Sequence, residues 1–244
     1  MDLSVIVPVY NEEDNLRALY KELKSVIDFL NKEYEIIFID DGSSDNSFLI
    51  LKEFSENDSR IRIIRFKKNY GLISAFDAGF HQAQGDFILA IDADLQVKAD
   101  DLIKIYEELK SYDAVVGWRR NRIKADGFIK WFSSIIANSI RRIVLREEFH
   151  DAGCPLKGFR KSTVKELLFY NSFEYFLFSM LKMKRFRIKE IYIEVMPRIH
   201  GKSKFNIKNR IWKSLVTLLV VKWMQGNKMN YQIKEMISKK PPEV

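Results

Sequence analysis

The sequence predicts an α/β fold in which a mostly parallel central sheet carries helices on both faces. Two observations predict it. Short apolar runs alternate with longer amphipathic stretches through the first half of the chain, and most of those runs stop on polar residues. Alternating strand and helix patterns make βαβ units, and each crossover brings the next strand back parallel to the last.

The elements follow in order. "LSVIVPVY" at 3–10, "YEIIFID" at 34–40, "RIRIIRF" at 60–66 and "DFILAID" at 86–92 have the length and apolar content of strands. Between the first two, "NEEDNLRALYKELKSVIDFLNK" places Leu16, Leu19, Tyr20, Leu23, Ile27 and Leu30 on one helix face, with Asn11 placed to cap its start. "SSDNSFLILKEFSEN" predicts the second helix. "GLISAFDAGFHQAQG" predicts the third, where Ala75, Ala78 and Gly79 permit close packing. A fourth helix, "ADDLIKIYEELKS", leads to a fifth strand over 112–118. Beyond it, "RRNRIKADGFIKWFSSIIANSIRRIVL" is basic and then helical, and "FRIKEIYIEVMPR" reads as a late strand. One domain is expected over 1–210, followed by a helical segment over 211–244.

That last segment bears on membranes. Its uncharged stretch, Ser214 to Val221, is bracketed by Lys213 and Lys222 and is far short of the roughly 20 apolar residues of a spanning helix. Trp212 and Trp223 beside those lysines suit a helix lying in a bilayer interface. Packing against the domain is the other expectation, and both can hold for different faces.

Composition narrows the setting. At 47% hydrophobic the chain can fill a core. A single cysteine, Cys154, excludes an internal disulfide framework and suits a reducing compartment. No secretory signal pattern precedes "SVIVPVY". The net charge of +8 divides unevenly: residues 1–118 carry 13 Lys/Arg against 23 Asp/Glu, and residues 119–244 carry 28 against 10. The basic half suits a phosphate-bearing or anionic partner.

In parallel sheets, ligands sit beyond the carboxyl ends of the strands. Strands one, two and four end there on Tyr10-Asn11, Asp40-Asp41 and Asp92-Asp94. If strand geometry continues past Ile91, Asp92 and Asp94 point to one side and present two hard oxygen ligands to a divalent cation, with Gln96 nearby. Asp40 ends its strand, where it can accept hydrogen bonds from a ribose or base; Tyr10 can stack on a base; Gly71 can admit a ligand to the backbone. This layout fits a nucleotide diphosphate with its cation, whereas an ordinary acidic or capping turn is the plain alternative. The chain lacks the glycine-rich loops of dinucleotide folds and of P-loop hydrolases. In the basic half, Arg119, Arg120 and Arg122 follow the fifth strand, and Arg198, Lys202 and Lys204 surround Gly201. Guanidinium forks suit phosphate oxygens, and a phosphate reached from the membrane plane fits better than nucleic acid.

Together, "VIVPVYNEEDNL", "IDDGSSDNS", "KNYGLISAFDAGFHQAQGDFILAIDADLQ" and "PRIHGKSKF" resemble the inverting family 2 glycosyltransferases of GT-A fold, in the branch typified by dolichyl-phosphate mannosyltransferase. The resemblance runs from residue 3 to about 225. It implies transfer of a sugar from a nucleoside-diphosphate sugar, UDP or GDP, to a polyprenyl phosphate with Mg²⁺ or Mn²⁺, by a peripheral protein at the cytoplasmic face of a membrane. Pro8, Tyr10, Asn11 and Glu12 would border the nucleoside, with Asp40 on base or ribose. Asp92, Asp94 and Gln96 match the metal and diphosphate residues. Arg119 matches an arginine at the reacting phosphates, Asp151 an aspartate near the sugar, and Arg198, Ser203 and Lys204 the loop near the lipid phosphate. Two departures stand out. Many members of the branch continue into spanning helices, and the Glu-Asp pair of relatives that glycosylate hydroxyl groups is absent here. Two rival readings follow: a transferase to a glycan or soluble hydroxyl with Asp151 as base, and a non-enzymatic scaffold for nucleotide or acidic lipid.

Overall fold

Seven strands form one sheet in the order β3-β2-β1-β4-β6-β5-β7. The computed structural model describes residues 1–120, 128–170, 172–197, 207–227 and 235. β1 (Leu3–Val9), β2 (Tyr34–Asp40), β3 (Ile61–Arg65) and β4 (Phe87–Ala90) are mutually parallel, as the βαβ pattern requires. They alternate with α1 (Glu13–Phe29), α2 (Ser47–Asn57) and α3 (Leu72–Gln82); α4 (Asp101–Leu109) follows β4. β2 is buried at every position, the mark of a strand covered on both faces.

The second half departs from simple alternation. β5 (Ala114–Arg119) does not pair with β4. Between them lies β6 (Lys157–Arg160), antiparallel to both, and β7 (Ile188–Ile193) pairs parallel with β5 at the edge. The long helix α5 (Phe128–Leu145), the short α6 (Lys161–Val164), α7 (Leu177–Met183) and α8 (Ile207–Gly226) complete the chain. α8 begins inside the expected domain and packs on α5 and α7.

Glycines and aromatic residues set the layer spacing. A Cβ on Gly158 would stand 2.3 Å from Ile105 of α4, so that helix seats directly on β6. On the other face Phe80 of α3 meets Phe159 of β6 edge to face and Phe159 stacks on Phe178 of α7, with centroids 5.3 Å apart at both contacts. Burying apolar area of this kind stabilises by about 25 cal/mol per Å², and the core runs without a break from Leu3 to Val221.

Candidate active site

The carboxyl ends of β1 and β2 are joined through their loops. Asn11 N–H donates to Ser43 Oγ at 2.9 Å, and Ser44 N–H donates back to Asn11 Oδ1 at 2.8 Å. Glu12 N–H donates to Ser47 Oγ at 2.9 Å, and Asn46 N–H to Glu13 Oε2, also at 2.9 Å. Asn11 therefore does not cap α1, contrary to expectation. It adopts a left-handed φ of 53°, Glu12 occupies the cap position, and the Asn11 amide is spent on the neighbouring loop.

The two acids ending β2 turn inward. Asp40 is wholly buried: its Oδ1 accepts Ser43 N–H at 2.9 Å and its Oδ2 faces Arg65 Nε at 3.2 Å. Asp41 accepts the N–H groups of Tyr70 and Gly71 at 2.7 and 2.9 Å, and burial pushes its pKa up despite them. Asp41 thus orders the turn at Gly71, whose φ of 93° suits glycine and where an added Cβ would meet open space. Pro8, Tyr10, Asn11 and Glu12 are each partly buried along the same edge.

The acidic pair after β4 is held differently from the expectation. β4 ends at Ala90, where its pairing with β6 runs out at Lys157, so strand alternation does not set Asp92 and Asp94. Ile91 N–H still reaches Ile6 O at 3.1 Å; the chain then turns, with Leu95 at a left-handed φ of 56°. Asp94 is buried, and its Oδ1 accepts Gln96 N–H at 3.2 Å. Val97 bridges to Val195, and Met196 N–H donates to Gln96 O at 2.9 Å. That staple brings the chain leading into Arg198 beside the acidic turn. Arg198, Ser203 and Lys204 themselves, with Arg122 and Lys202, lie outside the described residues.

Among the described residues no three His, Cys, Asp or Glu side chains cluster to cage an ion. Two carboxylates on one turn are hard oxygen donors, a set whose chemistry fits Mg²⁺ or Mn²⁺ shared with a substrate.

Across the sheet, Arg119 closes β5 and grips Asp151. Nε and Nη2 reach Asp151 Oδ2 and Oδ1 at 2.6 and 2.9 Å, and Nη2 also donates to Gly153 O at 2.9 Å. Both side chains are largely buried, so each is the other's counter-charge. Glu190 of β7 ties the same loop down: Oε1 accepts His150 N–H and Asp151 N–H at 2.7 and 3.0 Å, and Oε2 lies 2.7 Å from His150 Nδ1. The His150 ring stacks on Trp118 at 4.2 Å between centroids. Arg141 of α5 supports the loop from behind, donating to Glu147 Oε2 at 2.5 Å and to Phe149 O at 2.7 Å.

Lys157 joins the two sides. It is buried in β6, opposite Ala90 and Val116, with Nζ donating to Cys154 O and standing 5.2 Å over the Phe76 ring. Burial pushes its pKa down, while Asp92 and Asp151 favour its charge. Cys154 is buried and its thiol is pushed up to about 12, chiefly by burial, so it is a core residue and no nucleophile. His81 is an exposed helix residue.

A cavity of about 280 Å³ opens beside this network, lined by Trp118, Arg119, Arg120, Trp131, Ser134 and Arg142 among others, with His150 and Asp151 on its wall. Sequence reasoning assigned no role to Glu190, Lys157 or the α5 residues. A lysine in the apolar run "CPLKGF" was the available signal for Lys157; Glu190 had none, since acids alternate with apolar residues on any half-exposed edge strand. The helices α5 and α8 pack together and leave Phe132, Ile136, Ile143, Leu219 and Trp223 exposed. The packed face of α8 holds Thr217, Leu218 and Val221. No helix among the described residues is long and apolar enough to cross a membrane.

Known proteins share this architecture. Glucosyl-3-phosphoglycerate synthase from Mycobacterium tuberculosis, solved with Mn²⁺, UDP-glucose and phosphoglyceric acid, superposes with a TM-score of 0.70 at 16% identity, covering 91% of this chain and 80% of that one. A mannosyltransferase from Pyrobaculum calidifontis with GDP-mannose and Mn²⁺ gives 0.61 at 16% identity, covering 94% and 65%. In sequence, the undecaprenyl-phosphate 4-deoxy-4-formamido-L-arabinose transferase of Edwardsiella ictaluri (strain 93-146) is 33% identical over 211 residues, which is 86% of this chain and 64% of that protein's length. The chain thus spans a little under two thirds of that relative. The profile of Glycosyl transferase family 2 matches residues 4–168, which take in every strand from β1 to β6, and to that family the chain belongs.

Proposed function

We propose that the chain moves a sugar from a nucleoside-diphosphate sugar, UDP- or GDP-linked, to a polyprenyl phosphate while docked on the cytoplasmic face of a membrane. One observation carries the reading. An acidic turn suited to a cation and diphosphate follows β4, and an arginine-lined cavity lies at the end of β5, the two strands being bridged by β6 with its buried Lys157 opposite Ala90 and Val116. The undecaprenyl-phosphate relative supports the acceptor, and the nucleotide- and Mn²⁺-bound structures support the donor side.

Pro8, Tyr10, Asn11, Glu12, Asp40 and Gly71 would border the nucleoside along the β1–β2 edge. Asp92, Asp94 and Gln96 would hold the Mg²⁺ or Mn²⁺, which when bound neutralises the departing diphosphate. A phosphate monoester has a second pKa near about 6, so a phosphate acceptor arrives at neutral pH already anionic and requires no base. Its obstacle is repulsion from the donor diphosphate. Arg119, with Arg198, Ser203 and Lys204, would offset that repulsion and hold the acceptor in line. Direct displacement then inverts the anomeric centre. Asp151, committed to Arg119 through both oxygens, serves as a positioning partner in this scheme, which weighs against its use as a base for a hydroxyl acceptor.

The test is a panel of radiolabelled UDP- and GDP-sugars with a short polyprenyl phosphate and Mn²⁺ or Mg²⁺. Label is expected in the organic phase for one donor. Label only in a water-soluble glycan would redirect the reading to a hydroxyl acceptor, and donor binding without turnover would support the scaffold.

A further inference from the structure

His150 stands on the cavity wall, backed by Glu190, without a part in the scheme above. Glu190 fixes the ring edge at Nδ1, and Trp118 fixes its face. A ring held on edge and face loses little freedom on binding a ligand. With Nδ1 turned to Glu190, Nε2 is the ring's other hydrogen-bonding edge, and in the imidazolium both nitrogens donate.

We infer that His150, as an imidazolium backed by Glu190, is an anion-binding residue of the acceptor site, donating Nε2–H to a phosphate-monoester oxygen in the 280 Å³ cavity. The inference rests on the proposed reading that this cavity receives the acceptor phosphate. Charged groups surround the ring. Glu190 on β7 meets its Nδ1 edge, and Asp151 on its own loop, Arg119 and Arg120 at the end of β5 and Arg142 on α5 share the cavity wall with it. A phosphate that binds the imidazolium more tightly than the neutral ring raises the ring's midpoint on binding. By linkage, its own affinity falls as pH rises through that midpoint. The acceptor site is thereby pH-sensitive, whereas a site of arginines alone would stay charged throughout.

Ring-proton NMR of the full chain tests this with or without turnover. The chain has three histidines, so the His150→Gln spectrum, or the His81→Gln and His200→Gln spectra together, assigns the His150 resonance. A short polyprenyl phosphate is expected to raise the His150 midpoint by about one pH unit, equivalent to roughly tenfold tighter binding of the charged form. Inorganic phosphate at millimolar concentration should do the same more weakly if the phosphate alone is recognised, and a polyprenyl alcohol should not. A midpoint unmoved by either phosphate, or moved equally by the alcohol, overturns the inference. In kinetics, the acceptor KM should rise about tenfold from pH 6.5 to 8.5 in the wild type but not in His150→Gln, with kcat nearly level; equal pH profiles would also overturn it. If no donor is turned over, the proposed function fails while the ring titration still decides the role of His150.

Discussion

The two halves of the sheet differ in what chiefly holds their site carboxylates. From β1 to β4 the site acids are held chiefly by backbone N–H groups: Asp40 by Ser43, Asp41 by Tyr70 and Gly71, Asp94 by Gln96. Beyond β4, Asp151 is held by Arg119 and Glu147 by Arg141, while Glu190 takes the His150 and Asp151 N–H groups on one oxygen and the His150 ring on the other. A carboxylate held by N–H groups keeps its charge available to a ligand, whereas one paired with a cation is already balanced. On the proposed reading, the first half would bind the cation and diphosphate, and the second would fix the posture of cationic side chains.

Substitution should separate the two. Asp92→Asn and Asp94→Asn are expected to lower kcat about a hundredfold or more, as removal of a principal electrostatic stabiliser costs about 3 kcal/mol, and to leave the melting temperature nearly unchanged. Asp151→Asn strands Arg119 in a largely buried position, a loss of about 3 kcal/mol of stability by the usual cost of breaking a buried pair. It should therefore lower the melting temperature together with activity. Parallel thermal melts and transfer assays decide the matter. A large stability loss in the Asp92 or Asp94 variants, or none in Asp151→Asn, would erase the contrast.

The same division governs what could be read from the sequence. β1 to β4 were legible because helices alternate with them in βαβ order, β1, β2 and β3 pairing through local crossovers and β4 returning to β1, and the polar strand ends followed from the crossover rule. Asp92 and Asp94 do follow the carboxyl end of β4, but strand alternation does not orient them. Pairing with β6 stops at Lys157, and β6 went unassigned because a four-residue strand leaves almost no periodicity to detect. Arg119–Asp151 and His150–Glu190 span 32 and 40 residues. Such contacts arise only once β6 is inserted between β4 and β5, which no local pattern announces.

A smaller effect tests where the second half meets its surroundings. Phe132 and Ile136 on α5 and Leu219 and Trp223 on α8 are exposed apolar side chains on helices from the basic half. Replacing these four by serine should weaken flotation with anionic liposomes about tenfold or more, given roughly 1.5–3 kcal/mol for each fully buried large side chain. Leu218 is left in place because it is buried against the domain. Unchanged flotation by the folded variant would sink the membrane assignment, and with it the idea that the basic half faces lipid.

The smallest expected effect concerns acid. On the flank of the first half, Asp58 accepts from Arg60 at 2.8 and 2.7 Å and from Tyr20 Oη at 3.0 Å. The Arg60 guanidinium, ahead of Tyr20, holds the Asp58 carboxyl well below its usual range, and Tyr34 with Lys24 does the same for Asp28. A carboxyl depressed in the folded state contributes stability that is present above its unfolded pKa of about 4 and is lost as pH falls toward the folded value. Glu147, in the second half, is pushed upward by burial against the pull of Arg141. Its titration carries the opposite sign, so acid should loosen the β2–β3 flank before the α5 loop. Melting curves between pH 5 and pH 3 should show a falling midpoint, and Asp58→Asn should remove a few degrees of that fall, since about 1 kcal/mol corresponds to some 2–4 °C in a chain of this size. Both groups are solvated in part, which screens the effect and keeps it modest. An acid limb of equal slope in Asp58→Asn would place the sensitivity elsewhere, and hydrogen exchange at pH 4 would show whether the α5 loop opens first instead.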